Sequence, residues 1–181
     1  MYVMTLLTAQ HRLDLDDLLR DRMDWMTNNR IPLSGESSDL TTLLRLPQLN
    51  PGTRPAGMWD GQTLVAAFAM QDAAPTTGWT LEERAQSSMT VSLAHTLPGQ
   101  RLGSVLGRWI CDYAARRSNP TWVRCRVRAP ELADYLEGCG WSKVREVVSP
   151  VHGVSYLFQR PAQQDEGLES LVRGEGELVA C

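Results

Sequence analysis

The sequence predicts an α/β domain of the α+β kind, a mixed sheet with helices on its faces. Three observations lead there. From residue 88 to 158, short apolar runs alternate with stripes of apolar residues at helical spacing, the pattern of strands separated by helices. Ahead of that region, Asp60-Gly61 lies between Met58-Trp59 and an apolar run over 64–70, a hairpin pattern. A chain of 181 residues that is 43% hydrophobic and 22% charged is enough for one domain with a sizeable core.

Taken in order, residues 2–7 are apolar and short, which suits a first strand. Leu13, Leu15, Leu18, Leu19, Met23 and Met26 recur at helical spacing among Asp and Arg residues and predict an amphipathic helix to about Asn28. Ser38 or Asp39 caps a second helix over Leu40, Leu43, Leu44 and Leu46. Proline and turn formers make 47–55 a loop. The hairpin covers 57–70 and a further loop 72–78, and Thr80 caps a brief turn through Glu82 and Glu83. Residues 89–95 are a strand and 99–103 a glycine-containing loop. Val105, Leu106, Trp109, Ile110, Tyr113 and Ala114 then trace one helix face. Trp122, Val123, Cys125 and Val127 mark a strand over 121–127. Pro130 and Gly140 bound a short helix over 131–139. Residues 141–148 and 154–158 are the last strands. Past Pro161 the chain turns polar and acidic, so a single domain is expected over 1–161 and a flexible acidic tail over 162–181, with at most a helical turn at 168–172.

The formal net charge of -3 gives no electrostatic case for nucleic acid. The first ten residues lack the charged start and long apolar run of a signal peptide. No stretch approaches the roughly 20 apolar residues of a membrane span. Cys111, Cys125, Cys139 and Cys181 form no CxxC pair and no zinc spacing, which suits reduced thiols in a cytoplasmic protein, Cys181 being exposed. His11 and His152 read as loop or surface residues, and no metal is expected.

The most informative stretch is strand, loop, helix over 91–107. A helix that starts from a glycine-containing loop presents unpaired N–H groups and a partial positive charge, both of which favour an anion such as a pyrophosphate. Gly99 and Gly103 let backbone approach a ligand, and Arg101 can add a charge-assisted contact. The Gly-Lys-Ser/Thr ending of a P-loop is absent, as is the three-glycine dinucleotide fingerprint. Many such turns bind nothing, so a plain structural α/β domain is the competing reading.

Leu102-Gly103-Ser104-Val105-Leu106, with Trp109 and Ala114-Ala115, resembles the motif A helix of the GNAT (GCN5-related N-acetyltransferase) superfamily. Trp122-Val123-Arg124-Cys125-Arg126-Val127 is similar to its next strand, and 132–141 to the late helix that ends in Gly-Phe. Leu157-Phe158-Gln159-Arg160-Pro161 resembles the closing strand of a group of actinobacterial small-molecule acetyltransferases. The resemblance runs from Met58 to Pro161 and rests on the order and spacing of these motifs.

The resemblance implies a mostly antiparallel mixed sheet of about seven strands, splayed between the fourth and fifth, with acetyl-CoA (or another acyl-CoA) entering the gap. Backbone of Leu93, Ala94 and His95 would then pair with the pantetheine arm. Amides of Gly99, Gln100, Arg101, Leu102, Gly103 and Ser104 would cradle the pyrophosphate. The implied acceptor is a small-molecule amine, and many relatives are homodimers.

Two departures stand out. The family loop, Gln/Arg-x-x-Gly-x-Gly/Ala, falls on Pro98, Arg101 and Gly103, of which only Gly103 fits. A competing register uses Gln100, Gly103 and Val105 and disrupts the helix alignment. Arg101 either restricts backbone approach or reaches the phosphate itself. The tyrosine that protonates the departing thiolate in the family falls on Leu136, which has no proton to donate. Tyr135 points a quarter turn away and reads as an aromatic packed under the sheet. These departures keep an alternative open: a divergent protein of this fold that has lost acetyl transfer, acting as a binding or regulatory module or running another reaction in the same cleft.

Acyl transfer needs a neutral amine, hence a base, and His95 at a strand end near the thioester and Asp72 after the third strand are the candidates. Glu82 and Glu83 read as helix N-terminal charges. The six tryptophans read as core, with Trp25 and Trp79 the two that can instead line an acceptor pocket.

Overall fold

The structure, a computed structural model, describes residues 1–29, 41–117, 120–150, 153–175 and 178. The expected cap at Ser38 or Asp39, together with Leu40, His152 and Cys181, lies outside them.

A mixed eight-stranded sheet forms the middle layer. Its strands are β1 (Tyr2–Leu6), β2 (Thr53–Asp60), β3 (Thr63–Gln71), β4 (Ser88–Thr96), β5 (Trp122–Val127), β6 (Ser142–Ser149), β7 (Gly153–Pro161) and β8 (Val172–Gly174). Their order is β6-β7-β5-β4-β3-β2-β1-β8, and only β4–β5 and β1–β8 run parallel. Among the described residues the α-helices are α1 (Arg12–Asn28), α2 (Thr41–Leu49), α3 (Leu81–Ala85), α4 (Leu102–Arg117) and α5 (Pro130–Gly138).

The hairpin pattern around Asp60-Gly61 becomes β2–β3, with Gly61 at φ 59 in the turn. β3 is buried on both faces and divides its side chains between two cores. Ala66, Phe68 and Met70 join Trp109 and Tyr113 of α4 on one side. Ala67 and Ala69 join Leu15 and Leu18 of α1 and Leu43 of α2 on the other. Trp109 stacks on Tyr113 with ring centroids 4.9 Å apart, and Phe68 meets Trp109 edge-on.

Three expectations are corrected. The 47–55 loop shrinks to 50–52, because α2 runs through Pro47 to Leu49 and β2 starts at Thr53. Pro47 removes one helix hydrogen bond near the end of α2, where fully buried Leu43 holds the preceding turn. Leu13, counted with the buried stripe of α1, is exposed. The segment after Pro161 packs against the domain: Leu168, Val172 and Leu178 are buried in the α4-side core, and β8 pairs with β1 as the eighth strand. Three spaced apolar side chains anchor a segment whose polar composition reads as a tail, and a turn closed by Leu168 carbonyl bonds to Leu171 and Val172 precedes β8.

Candidate functional site

β4 and β5 pair from Ser88/Trp122 to Val91/Cys125 and no further. β4 continues to Thr96 and β5 to Val127, so the two strands part beyond Val91. Ser92, Leu93 and Ala94 are exposed, although β4 lies inside the sheet. On the other edge the register with β3 passes from Ala69↔Ser92 to Ala67↔His95, so two residues, Leu93 and Ala94, stand opposite Phe68 alone. That is a β-bulge, and Leu93 adopts φ 51, a left-handed conformation worth about 1–2 kcal/mol of strain in a leucine. Strain of this kind concentrates where backbone must be re-aimed.

The open end of β4 leads into the loop before α4. Leu97 N–H donates to the Val65 carbonyl at 2.8 Å and fixes the start of the loop. Gly99 lies at φ 82 and Arg101 at φ 51. Arg101 occupies the position where the preferred family register places glycine, and its backbone takes the left-handed form that glycine adopts freely. Gly103 and Ser104 lie in the first turn of α4. Ser104 N–H donates to the Tyr135 phenol oxygen at 3.1 Å. A Cβ on Gly103 would stand 2.8 Å from Tyr135 Cε1, so glycine is what lets the ring lie there. Tyr135 therefore does not pack under the sheet as expected. It caps the α4 N-terminus from α5, with its phenol pushed up by burial and by the Cys139 thiol beside it. An amide that aims outward and already holds an oxygen suits a phosphate oxygen equally well. Leu136 instead packs against the core.

His95 pairs with Ala67 in the ladder, so its side chain shares the α1 face of the sheet with Ala67 and Leu18. Its Nδ1 is buried without a hydrogen-bond partner. Burial, then the field of Arg22, lowers its pKa to about 4. Sequence reasoning missed Arg22, yet the signal was present. Leu15, Leu18, residue 22 and Met26 form one helical stripe, and three of the four are buried apolar side chains. Arg22 interrupts that stripe, with its Nε also buried and unpartnered. Burial holds its guanidinium below the usual arginine range. Trp25 is 41% exposed and sits seven residues past Leu18 on the same side of α1.

The structure separates the other candidates from this site. Asp72 follows β3 five residues beyond Ala67, about 17 Å along the strand from the partner of His95. Arg54 Nη2 holds both its carboxylate oxygens at 2.8 Å, so it is not a base for that cleft. Trp79 is buried, with the Arg124 guanidinium 4.5 Å over its ring, and belongs to the core. Glu83 closes a capping box with Thr80 and pairs with Arg145, as its place at a helix start leads one to expect. A separate concavity of about 570 Å³ lies behind α4, where Arg108 is paired with Asp165 and Arg160 with the Cys139 carbonyl. No metal-holding cluster of His, Cys, Asp or Glu occurs among the described residues.

Solved structures with this architecture include several acetyltransferases. An acetyltransferase from Thermus thermophilus is 16% identical over 89% of this chain and 97% of its own, with a TM-score of 0.60. A mutant of the spermidine N-acetyltransferase SpeG from Vibrio cholerae is 14% identical over 89% and 94%, with a TM-score of 0.59. The chain has the GNAT fold. An aminoglycoside N(6')acetyltransferase from Legionella pneumophila is similar as well, at 12% identity over 93% and 95% and a TM-score of 0.55. No protein-family model matches the chain, and no curated protein matches it in sequence. At these identities the likeness is one of fold, and the splay, the bulge and the α4 loop describe how this chain realises it.

Proposed function

We propose that the protein is an acyl-CoA-dependent N-acyltransferase, with acetyl-CoA as donor and a small-molecule amine as acceptor. The observation that carries the reading is the parting of β4 from β5 after Val91/Cys125, which leaves a strained, exposed bulge beside an amide-rich helix start. The donor would supply an activated thioester. Backbone of Leu93, Ala94 and His95, free of β5, offers donors and acceptors to an extended arm and to a developing oxyanion. Amides over 99–104 and the Arg101 guanidinium suit a pyrophosphate. His95, kept neutral, offers its free Nδ1 to a proton leaving the amine. Trp25 suits a wall of the acceptor cleft. The same reading makes the protein a cytoplasmic member of the superfamily that self-associates as a homodimer. SpeG has a dodecameric state, and no helix among the described residues is long and apolar enough to cross a membrane.

Calorimetry with acetyl-CoA and CoA tests the donor site. Binding is expected below about 1 mM, and its complete absence at that concentration refutes the proposal. Amine-dependent CoA release, lost in His95→Ala, tests the chemistry. Binding without release for any amine would favour the alternative of a cleft that has lost acetyl transfer, for which Leu136 in place of the family tyrosine is the supporting observation.

A further inference from the structure

Arg22 is out of place by every local rule. It fills the one polar position in the buried stripe of α1, four residues past Leu18 and four before Met26, where an apolar side chain would pack. Its Nε is buried and makes no hydrogen bond. Among the described residues no carboxylate pairs with it. Asp21 and Asp24, its neighbours in sequence, are exposed on the outer side of the helix. α1 packs on β3 and α2, whose buried side chains in the shared core are Leu43, Ala67 and Ala69, and His95 of β4 pairs with Ala67. His95 is the one titratable group in that set, and its Nδ1 is likewise unpartnered. Two buried nitrogens, one on a permanent cation, thus lie where the described residues supply no anion. A half-buried guanidinium whose Nε is fully buried and unpartnered carries a desolvation cost, so a site that keeps one has a use for it.

We propose that Arg22 binds a carboxylate carried by the acceptor, so that the amine substrate is a small amino acid held between α1 and the open end of β4. This rests on the transferase reading above. Three physical points favour it. The guanidinium fork matches a carboxylate in two parallel hydrogen bonds, while His95, close enough to feel the charge of Arg22, stands beside the amine. The placing of both groups on the α1 side of the sheet suits an amine within a few bonds of its carboxylate. A bound carboxylate also cancels the field of Arg22 at His95 and returns basicity to the imidazole when an acceptor is present. A polyamine has no such group and would be repelled by Arg22, which separates this cleft from that of a spermidine-acetylating enzyme.

The test is CoA release by the full-length protein with saturating acetyl-CoA, using the protein amino acids and β-alanine, each beside its decarboxylated amine. Amino acids are expected to exceed their decarboxylated partners in kcat/KM by about 30-fold, the worth of a charge-assisted pair. Arg22→Gln collapses that ratio towards one, and Arg22→Lys restores part of it. In parallel, NMR titration of the His95 imidazole is expected to move towards ordinary values on adding the same amino acids to the wild type, with no response in Arg22→Gln. Equal or better turnover of the decarboxylated amines overturns the assignment and leaves the transferase intact. An unmoved His95 titration under every amino acid overturns it even where no turnover is seen. Failure to bind acetyl-CoA removes the transferase reading, and this inference with it.

Discussion

Arg22→Met is expected to make the protein more stable. The substitution replaces an unpartnered, half-buried guanidinium with a thioether of nearly equal helix propensity. A buried donor left without a partner costs about 1–3 kcal/mol. The lower part of that range applies, because Arg22 is only partly buried and the rest of its head can meet water. Methionine would complete the buried stripe of Leu15, Leu18 and Met26, of which Leu15 and Leu18 share a core with Ala67. The net gain is about 1–2 kcal/mol, or roughly 2–8 °C in Tm for a domain of this size. Urea unfolding at pH 7 and calorimetric melting both read it. The same substitution would also remove the charge that presses on His95, so stability should depend less steeply on acid than in the wild type. A loss of about 1 kcal/mol or more at pH 7 would refute the reasoning, since it would mean that Arg22 is satisfied within the fold. The gain should come with lost acceptor selectivity, the exchange expected where a strained group serves function.

Three further outcomes follow from named contacts. In the unfolded chain His95 takes a proton near pH 6.5, but in the folded protein only near about 4, so acid favours the unfolded state. Stability should be level above pH 6.5 and fall by roughly 3 kcal/mol on the way to pH 4, and His95→Asn should remove that slope in urea midpoints. Tyr135→Phe frees the Ser104 amide for a ligand, so CoA affinity measured by calorimetry should rise about 5-fold; weaker binding would instead make the phenol part of the bound site. Arg124 is fully buried and donates to the Glu83 carbonyl at 2.6 Å and to Gln86 Oε1 at 2.8 Å. Arg124→Met should destabilise by about 3 kcal/mol in chemical denaturation, because it strands those acceptors.

Much of the fold was legible because its signals are local. Asp60-Gly61 marks a turn, Thr80 with Glu83 writes a capping box, and the apolar period changes from strand to helix at the α4 loop. The register of Arg101 on a glycine position is supported by a left-handed φ of 51, a backbone property the residue type hides. What escaped depends on packing between distant segments. β8 is three residues long, and only its place beside β1 makes it a strand. Asp72 looked free until Arg54, on the neighbouring strand, closed on it. Tyr135 stands apart from the family tyrosine position, but its partner at Ser104 lies 31 residues away. Arg22 could have been found from spacing alone, by asking which position of the α1 stripe was not apolar.

The pairing of β1 with β8 has a consequence for how the molecule is made. β1 has one sheet neighbour supplied by residues 53–60 and the other only by residues 172–174. Its outer edge therefore stays unpaired until residues 172–174 have been made, about 170 residues after β1, and is sealed by a contact between two segments far apart in the chain. A nascent or truncated chain ending near Pro161 would carry an open, template-like edge. Closing that edge is the step that turns a sticky half-finished sheet into a finished one.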